Sequence, residues 1–200
     1  MSRRPPWNHN IHYHPLVLGA VPDGCRRALD VGCGEGILAC ELRRVVPHVS
    51  AIDLHQPSIH RARQHAAAAG VDFLVGDFLT YPFEPASFDL VASVAALHHM
   101  EAAVALGRMR DLLRPGGRLV VVGLAASRYP ADLPRDAVAA VGNLLHKATK
   151  GYWEISAPTC WPPPETYAGM RGLAAEVLPG ARYRRHLLWR YSLVWTRRTG

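Results

Sequence analysis

The chain has 200 residues, 49% of them apolar and 20% charged, and carries a net charge of +7 from 23 basic and 16 acidic side chains. That length suits one domain, residues 1–200, with a real core and leaves little room for a second. No apolar run approaches the roughly 20 residues that span a bilayer, no apolar stretch follows Arg3 and Arg4 to make a secretion signal, and Cys25, Cys33, Cys40 and Cys160 form neither a C-x-x-C pair nor a zinc-type spacing, so a cytoplasmic protein with free thiols is expected.

Near the N-terminus, His9, His12 and His14 stand close together with no acid or cysteine beside them to complete a ligand set, and no metal site is expected. Leu16 to Val21 reads as a short helix, and Pro22-Asp23-Gly24 as a turn. A short apolar strand follows, Ala28 to Val31, interrupted by the carboxylate of Asp30. It runs into Gly32, Gly34 and Gly36, after which Ile37 to Val46 has a helical pattern. Glycines at this spacing allow unusual backbone angles and let a ligand approach the main chain. Asp30 and Glu35 would repel a pyrophosphate but would favour a ligand bearing an ammonium and a sulfonium, as S-adenosylmethionine does. The stretch resembles the first motif, (D/E)-x-G-x-G-x-G, of the class I S-adenosylmethionine-dependent methyltransferases, matched by Asp30, Gly32, Gly34 and Gly36. Cys33 lies inside the turn as a small side chain whose backbone would touch the ligand. The resemblance also implies that residues 1–24 fold over the cofactor, with Tyr13 and His14 as candidate substrate contacts; plain packing of this arm is the alternative.

Val49 to Leu54 is a second buried-type strand. Asp53, beside Leu54 at its end and 17 residues past Gly36, is placed to accept hydrogen bonds from ribose hydroxyls. Pro57 can open the next helix and Gly70 can end it. At the end of the third strand, Val71 to Val75, the Gly76-Asp77-Phe78 element resembles the one that meets adenine in this family. The fourth strand, Ser87 to Val94, follows the family's F-D-L-V pattern and contains Ser93 near its end as a further cofactor candidate. Ala95 to Met100 contains His98 and His99, which resemble the L-H-H of small-molecule methyltransferases and are the candidate catalytic residues. A hydroxyl acceptor would use one of them as base; an amine, thiol or carbanion would need none. Ser93-Val94-Ala95-Ala96 lacks the proline and aromatic of the (N/D/S)-P-P-(Y/F/W) element found in base N-methylating enzymes, which disfavours that chemistry.

Leu113 to Gly117 is a turn into a fifth strand, Arg118 to Leu124. Residues 125–165 break the βα rhythm and are expected to roof the substrate pocket. Pro134 opens an amphipathic helix with Val138, Val141, Leu144 and Leu145 on one face, while Tyr152, Trp153 and Trp161 are candidates to line the pocket, with ordinary core packing as the alternative. Thr166 to Leu178 is helical, and Arg182 to Leu188 and Tyr191 to Thr196 form a closing hairpin. Five strands alternating with helices, then a helix and a terminal strand pair, match the methyltransferase sheet, and the resemblance implies a Rossmann-like α/β three-layer sandwich with a seven-stranded, mostly parallel sheet of order 3-2-1-4-5-7-6 and one antiparallel strand.

Residues 181–200 hold six arginines and no acid. A solvated basic face, an acidic small-molecule or carrier partner, and RNA are the readings open there. The reading taken is methyl transfer from S-adenosylmethionine, leaving S-adenosylhomocysteine, to a small-molecule acceptor. The alternative is an RNA-directed methyltransferase or RNA-binding subunit on the same fold.

Overall fold

A computed structural model describes residues 7–65, 68–150 and 161–199. Its seven strands are β1 (Arg27–Val31), β2 (His48–Asp53), β3 (Val71–Val75), β4 (Phe88–Val94), β5 (Leu113–Gly123), β6 (Arg182–Arg185) and β7 (Tyr191–Thr196), in the spatial order β3-β2-β1-β4-β5-β7-β6. β7 runs antiparallel to both β5 and β6, and every other pairing is parallel. The expected sheet is thus the observed one.

Successive residues of a strand face opposite sides, so the near-continuous apolar runs of β1, β4 and β5 fill two cores at once. On one side Leu29, Val91 and Leu119 pack under α4 (Ala102–Leu112) and α6 (Tyr167–Val177). On the other, Ala28, Leu90 and Val120 pack with residues of α1 (His14–Leu18), α2 (Ile37–Leu42) and α3 (Gln56–Gln64). Asp89 explains the polar residue of the F-D-L-V pattern. It accepts hydrogen bonds from the amides of Arg26 and Arg27 at 2.9 Å and from Arg114 at 3.1 Å, tying β4 to the start of β1. Burial raises its pKa, but these donors outweigh that and hold it below the usual value.

Three boundaries differ from expectation. The first helix begins at His14 rather than Leu16, because Pro15 sits in its first turn. The turn of Leu113 to Gly117 lies within β5: Leu113 pairs with Phe88, the chain then bulges through Gly116 at φ 81°, and pairing resumes between Leu90 and Arg118. The helix opened by Pro134, α5 (Leu133–Lys150), has the expected apolar stripe turned outward, with Val138, Val141, Leu144 and Leu145 all exposed. Its opposite face meets the N-terminal arm, where Asn143 bonds His9 at 2.8 Å and the His146 ring lies 5.1 Å from those of Trp7 and His12. No helix of the described residues is long and apolar enough to cross a membrane.

Candidate functional site

The ends of β1, β2 and β4 converge on a cavity of about 1050 Å³, at the carboxyl edge where open parallel sheets hold ligands. Asp30, Gly32, Cys33 and Gly34 form one wall, Asp53 and Leu54 a second, and Asp77 and Phe78 a third. The N-terminal arm adds Asn8 to Ile11 and His14, and the segment after β4 adds His98 and His99.

The glycines serve different ends. Gly34, at φ 53°, has nothing within 4 Å of where a side chain would begin, so its backbone is open to a ligand. Gly36, at φ 75°, does not line the cavity; a Cβ there would fall 2.5 Å from the Phe73 ring, so its lack of a side chain lets α2 pack. Gly34 donates its amide to Asp53 Oδ2 and His55 donates to Oδ1, both at 2.8 Å. Two backbone donors therefore fix the carboxylate and leave it further lone pairs.

Asp30 is 2% exposed. The backbone of Ala39, in the first turn of α2, favours its ionised form, while Oδ2 is buried with no hydrogen-bond partner. Burial first, and then the charge of Asp53, push its pKa up to about 7. A cationic group beside Oδ2 would reverse both effects. Glu35, by contrast, already pairs with Arg61 at 2.8 Å, so the charge argument about the ligand rests on Asp30 and not on Glu35. The Cys33 thiol is driven well above its usual pKa by burial and by Asp30 and Asp53, and stays protonated.

Phe78 is buried, with Arg108 donating to its carbonyl at 2.8 Å and its guanidinium 5.6 Å from the ring centroid. Asp77 Oδ1 accepts from the Leu79 amide at 2.9 Å. Ser93 lies outside the lining: fully buried, it donates its hydroxyl to the Val31 carbonyl at 3.0 Å and joins β4 to β1. Tyr13 is also outside, its hydroxyl bonded to the Leu187 carbonyl at 2.5 Å and its pKa pushed up to about 12 by burial. Trp153 and Tyr152 fall outside the described residues, whereas Trp161 lines the mouth of the cavity, 70% exposed.

His98 and His99 lie against each other with ring centroids 4.1 Å apart and planes tilted by 41°. Burial, then the charges of His99 and Arg190, lower the His98 pKa to about 4, and its buried Nδ1 has no hydrogen-bond partner. At neutral pH this imidazole is uncharged and a poor proton acceptor. His14 is the better-oriented imidazole, its Nδ1 2.8 Å from Glu41 Oε2 on α2. Sequence reading passed over Glu41 because nothing in Ala39-Cys40-Glu41-Leu42 distinguishes it from a solvated helix carboxylate. It also passed over Arg190, which is 6% exposed, lines the cavity and donates to Asn10 Oδ1 at 2.7 Å. Only the fold brings residues 10 and 190 together.

The family model described as a methyltransferase domain matches residues 29–121. An uncharacterized methyltransferase of Mycobacterium tuberculosis (strain ATCC 25618 / H37Rv) is 41% identical over 191 residues, covering 95% of this chain and 96% of that protein. A ubiquinone biosynthesis O-methyltransferase of Xylella fastidiosa (strain 9a5c) is 36% identical over 171 residues, covering 82% of this chain and 67% of that one. Among solved structures, a SAM-dependent methyltransferase from Methanosarcina mazei superposes with a TM-score of 0.63 at 17% identity, over 93% of this chain and 98% of that one, a likeness of fold. With a relative of such identity along nearly the full length of both chains, and this strand order behind the glycine turn, the chain belongs to the class I S-adenosylmethionine-dependent methyltransferase family.

Proposed function

We propose that the protein transfers the methyl group of S-adenosylmethionine to a small-molecule acceptor held between the glycine turn and the N-terminal arm. The observation that carries this is the polarity of this cavity. Asp30, Asp53 and Asp77 lie along the strand ends that would hold the donor, and His9, His14, His98 and Arg190 lie on the side that would face the acceptor. The named activity of the Xylella relative, a small-molecule O-methyltransferase, supports the same reading.

In this reading Asp30 Oδ2 receives the ammonium end of the donor, Asp53 the ribose hydroxyls, and Asp77 with Phe78 and Leu54 the adenine. Gly34 supplies open backbone beneath it, with Gly32 and Cys33 beside it in the lining. Gly36 and Ser93 act by holding that frame in place. The bound donor supplies an electrophilic methyl group. What the chain contributes is alignment, worth up to about 7–11 kcal/mol of barrier, and exclusion of water by the arm of residues 7–14. His98, uncharged at neutral pH, hydrogen-bonds the acceptor, and His99 backs it. The arginine-rich C-terminus gives little support to the RNA alternative, for its guanidinium groups are dispersed. Arg185 pairs with Asp132 at 2.5 Å, Arg190 lines the cavity, and Arg197 donates to the Leu113 carbonyl at 2.7 Å.

The test is incubation with methyl-labelled S-adenosylmethionine and host-cell extract, followed by partition of the label. Label in the small-molecule pool upholds the reading. Label in nuclease-sensitive material transfers it to RNA, with the steep salt dependence that phosphate contacts bring.

A further inference from the structure

We infer that His14 and Glu41 form the proton-accepting pair of the acceptor site, which makes the acceptor a hydroxyl compound; this rests on the methyl-transfer reading above. His14 opens α1 and is 5% exposed, and what it presents lines the cavity. Its Nδ1 lies 2.8 Å from Glu41 Oε2. An ionised carboxylate only accepts hydrogen bonds, so the ring proton of the neutral imidazole sits on Nδ1 and Nε2 keeps its lone pair. Nε2 makes no hydrogen bond among the described residues. A buried imidazole with its tautomer fixed from behind and a basic nitrogen left over is the arrangement of a general base with its orienting partner.

Position supports the assignment. Glu41 stands on α2, the helix that follows the glycine turn, and His14 lines the same cavity as Asp30, Gly32 and Gly34. His14 therefore borders the space in which the donor is proposed to lie. Neither Tyr13 nor His98 has this arrangement. Tyr13 gives its hydroxyl proton to Leu187, and His98 has no carboxylate behind it.

The chemistry balances without a further reactant. The acceptor oxygen bonds to the methyl carbon as the carbon–sulfur bond breaks, and that electron pair stays on sulfur. The hydroxyl proton passes to His14 Nε2. The imidazolium so formed keeps its Nδ1–H on Glu41 and returns the Nε2 proton to water once the product leaves. Here His14 is a catalytic residue, and Glu41 is a positioning residue.

The first measurement is of tautomer. Histidine-labelled ¹⁵N protein, with and without S-adenosylhomocysteine, is compared with His14→Gln to assign the ring signals. The expected result is Nδ1–H with Nε2 unprotonated in the wild type, shifting toward Nε2–H in Glu41→Ala. An Nε2–H form in the wild type overturns the proposal, as does a tautomer indifferent to Glu41. The second measurement is the rate of label transfer from methyl-labelled S-adenosylmethionine to the small-molecule fraction of the extract. His14→Gln should lose about 10²–10⁴-fold in rate, the usual worth of a general base, while its S-adenosylhomocysteine affinity stays within about twofold of wild type because only an acceptor-side group is lost. A wild-type rate in His14→Gln sinks the proposal. Failure of the wild type to bind S-adenosylhomocysteine would instead sink the methyl-transfer reading, so the two failures are told apart.

Discussion

Asp53 is held by two backbone amides, so its carboxylate is oriented for a diol. Replacing it by alanine should weaken S-adenosylhomocysteine binding by about 1–3 kcal/mol, the cost of leaving buried hydroxyls without an acceptor; calorimetric titration reads this directly. Asp30 makes a prediction about pH. In the folded chain it keeps its proton up to about pH 7, whereas in the unfolded chain it loses it near the ordinary value of 3.8. Its contribution to stability is therefore fully present below that lower value and is lost as pH rises to about 7, on the order of 4 kcal/mol at about 1.4 kcal/mol per pKa unit. A cation bound beside Oδ2 draws the proton off. Affinity for S-adenosylhomocysteine should thus rise with pH through about 7, with proton release seen as a buffer-dependent binding enthalpy, and Asp30→Asn should abolish both. Asp30 and Asp53 were legible because strand ends and glycine spacing place them. Glu41 and Arg190 were not, since a partner across 27 residues or 180 leaves no local pattern.

At the scale of elements, periodicity found nearly every helix and strand but could not orient α5. A stripe of Val138, Val141, Leu144 and Leu145 at helical spacing predicts a buried face. In the fold the helix is instead held to the arm by Asn143 and His146, with Ala139 buried beneath it, while the valines and leucines face out. The opposite stripe decides the docking because it carries the specific partners, a polar contact and stacked rings, that a pattern of apolar residues does not reveal. Val141→Gln should therefore change stability by no more than about 0.5 kcal/mol, as for other surface positions. Ala139→Gln, forced into a filled space, should cost about 1–3 kcal/mol. Thermal denaturation of the two variants separates these outcomes, and a larger loss for Val141→Gln than for Ala139→Gln would mean that the helix is turned the other way.

For the whole molecule, the alternation of strand and helix gave the number and sequence of the elements, while the strand order and the one antiparallel strand followed from the family resemblance, and the observed sheet has both. What the sequence obscured was the disposition of charge. Six arginines in the last 20 residues look like one basic patch, yet the sheet sends them in different directions. Arg182 and Arg184 are exposed on β6, the last strand of the sheet. An unpaired edge is a template for another chain, and charged side chains there discourage such pairing. The double change Arg182→Val and Arg184→Val should promote self-association at high protein concentration, detectable by light scattering, while S-adenosylhomocysteine affinity is retained.

The link between Asn10 and Arg190 bears on how the two halves of the site are built. The glycine turn and the ends of β1 to β4, which make the seat proposed for the donor, come from one contiguous stretch of chain. The acceptor wall does not, because it joins Asn10, ahead of β1, to Arg190, which leads into β7. The donor half therefore belongs to the sheet itself, whereas the acceptor half depends on the two flanks of that sheet meeting each other.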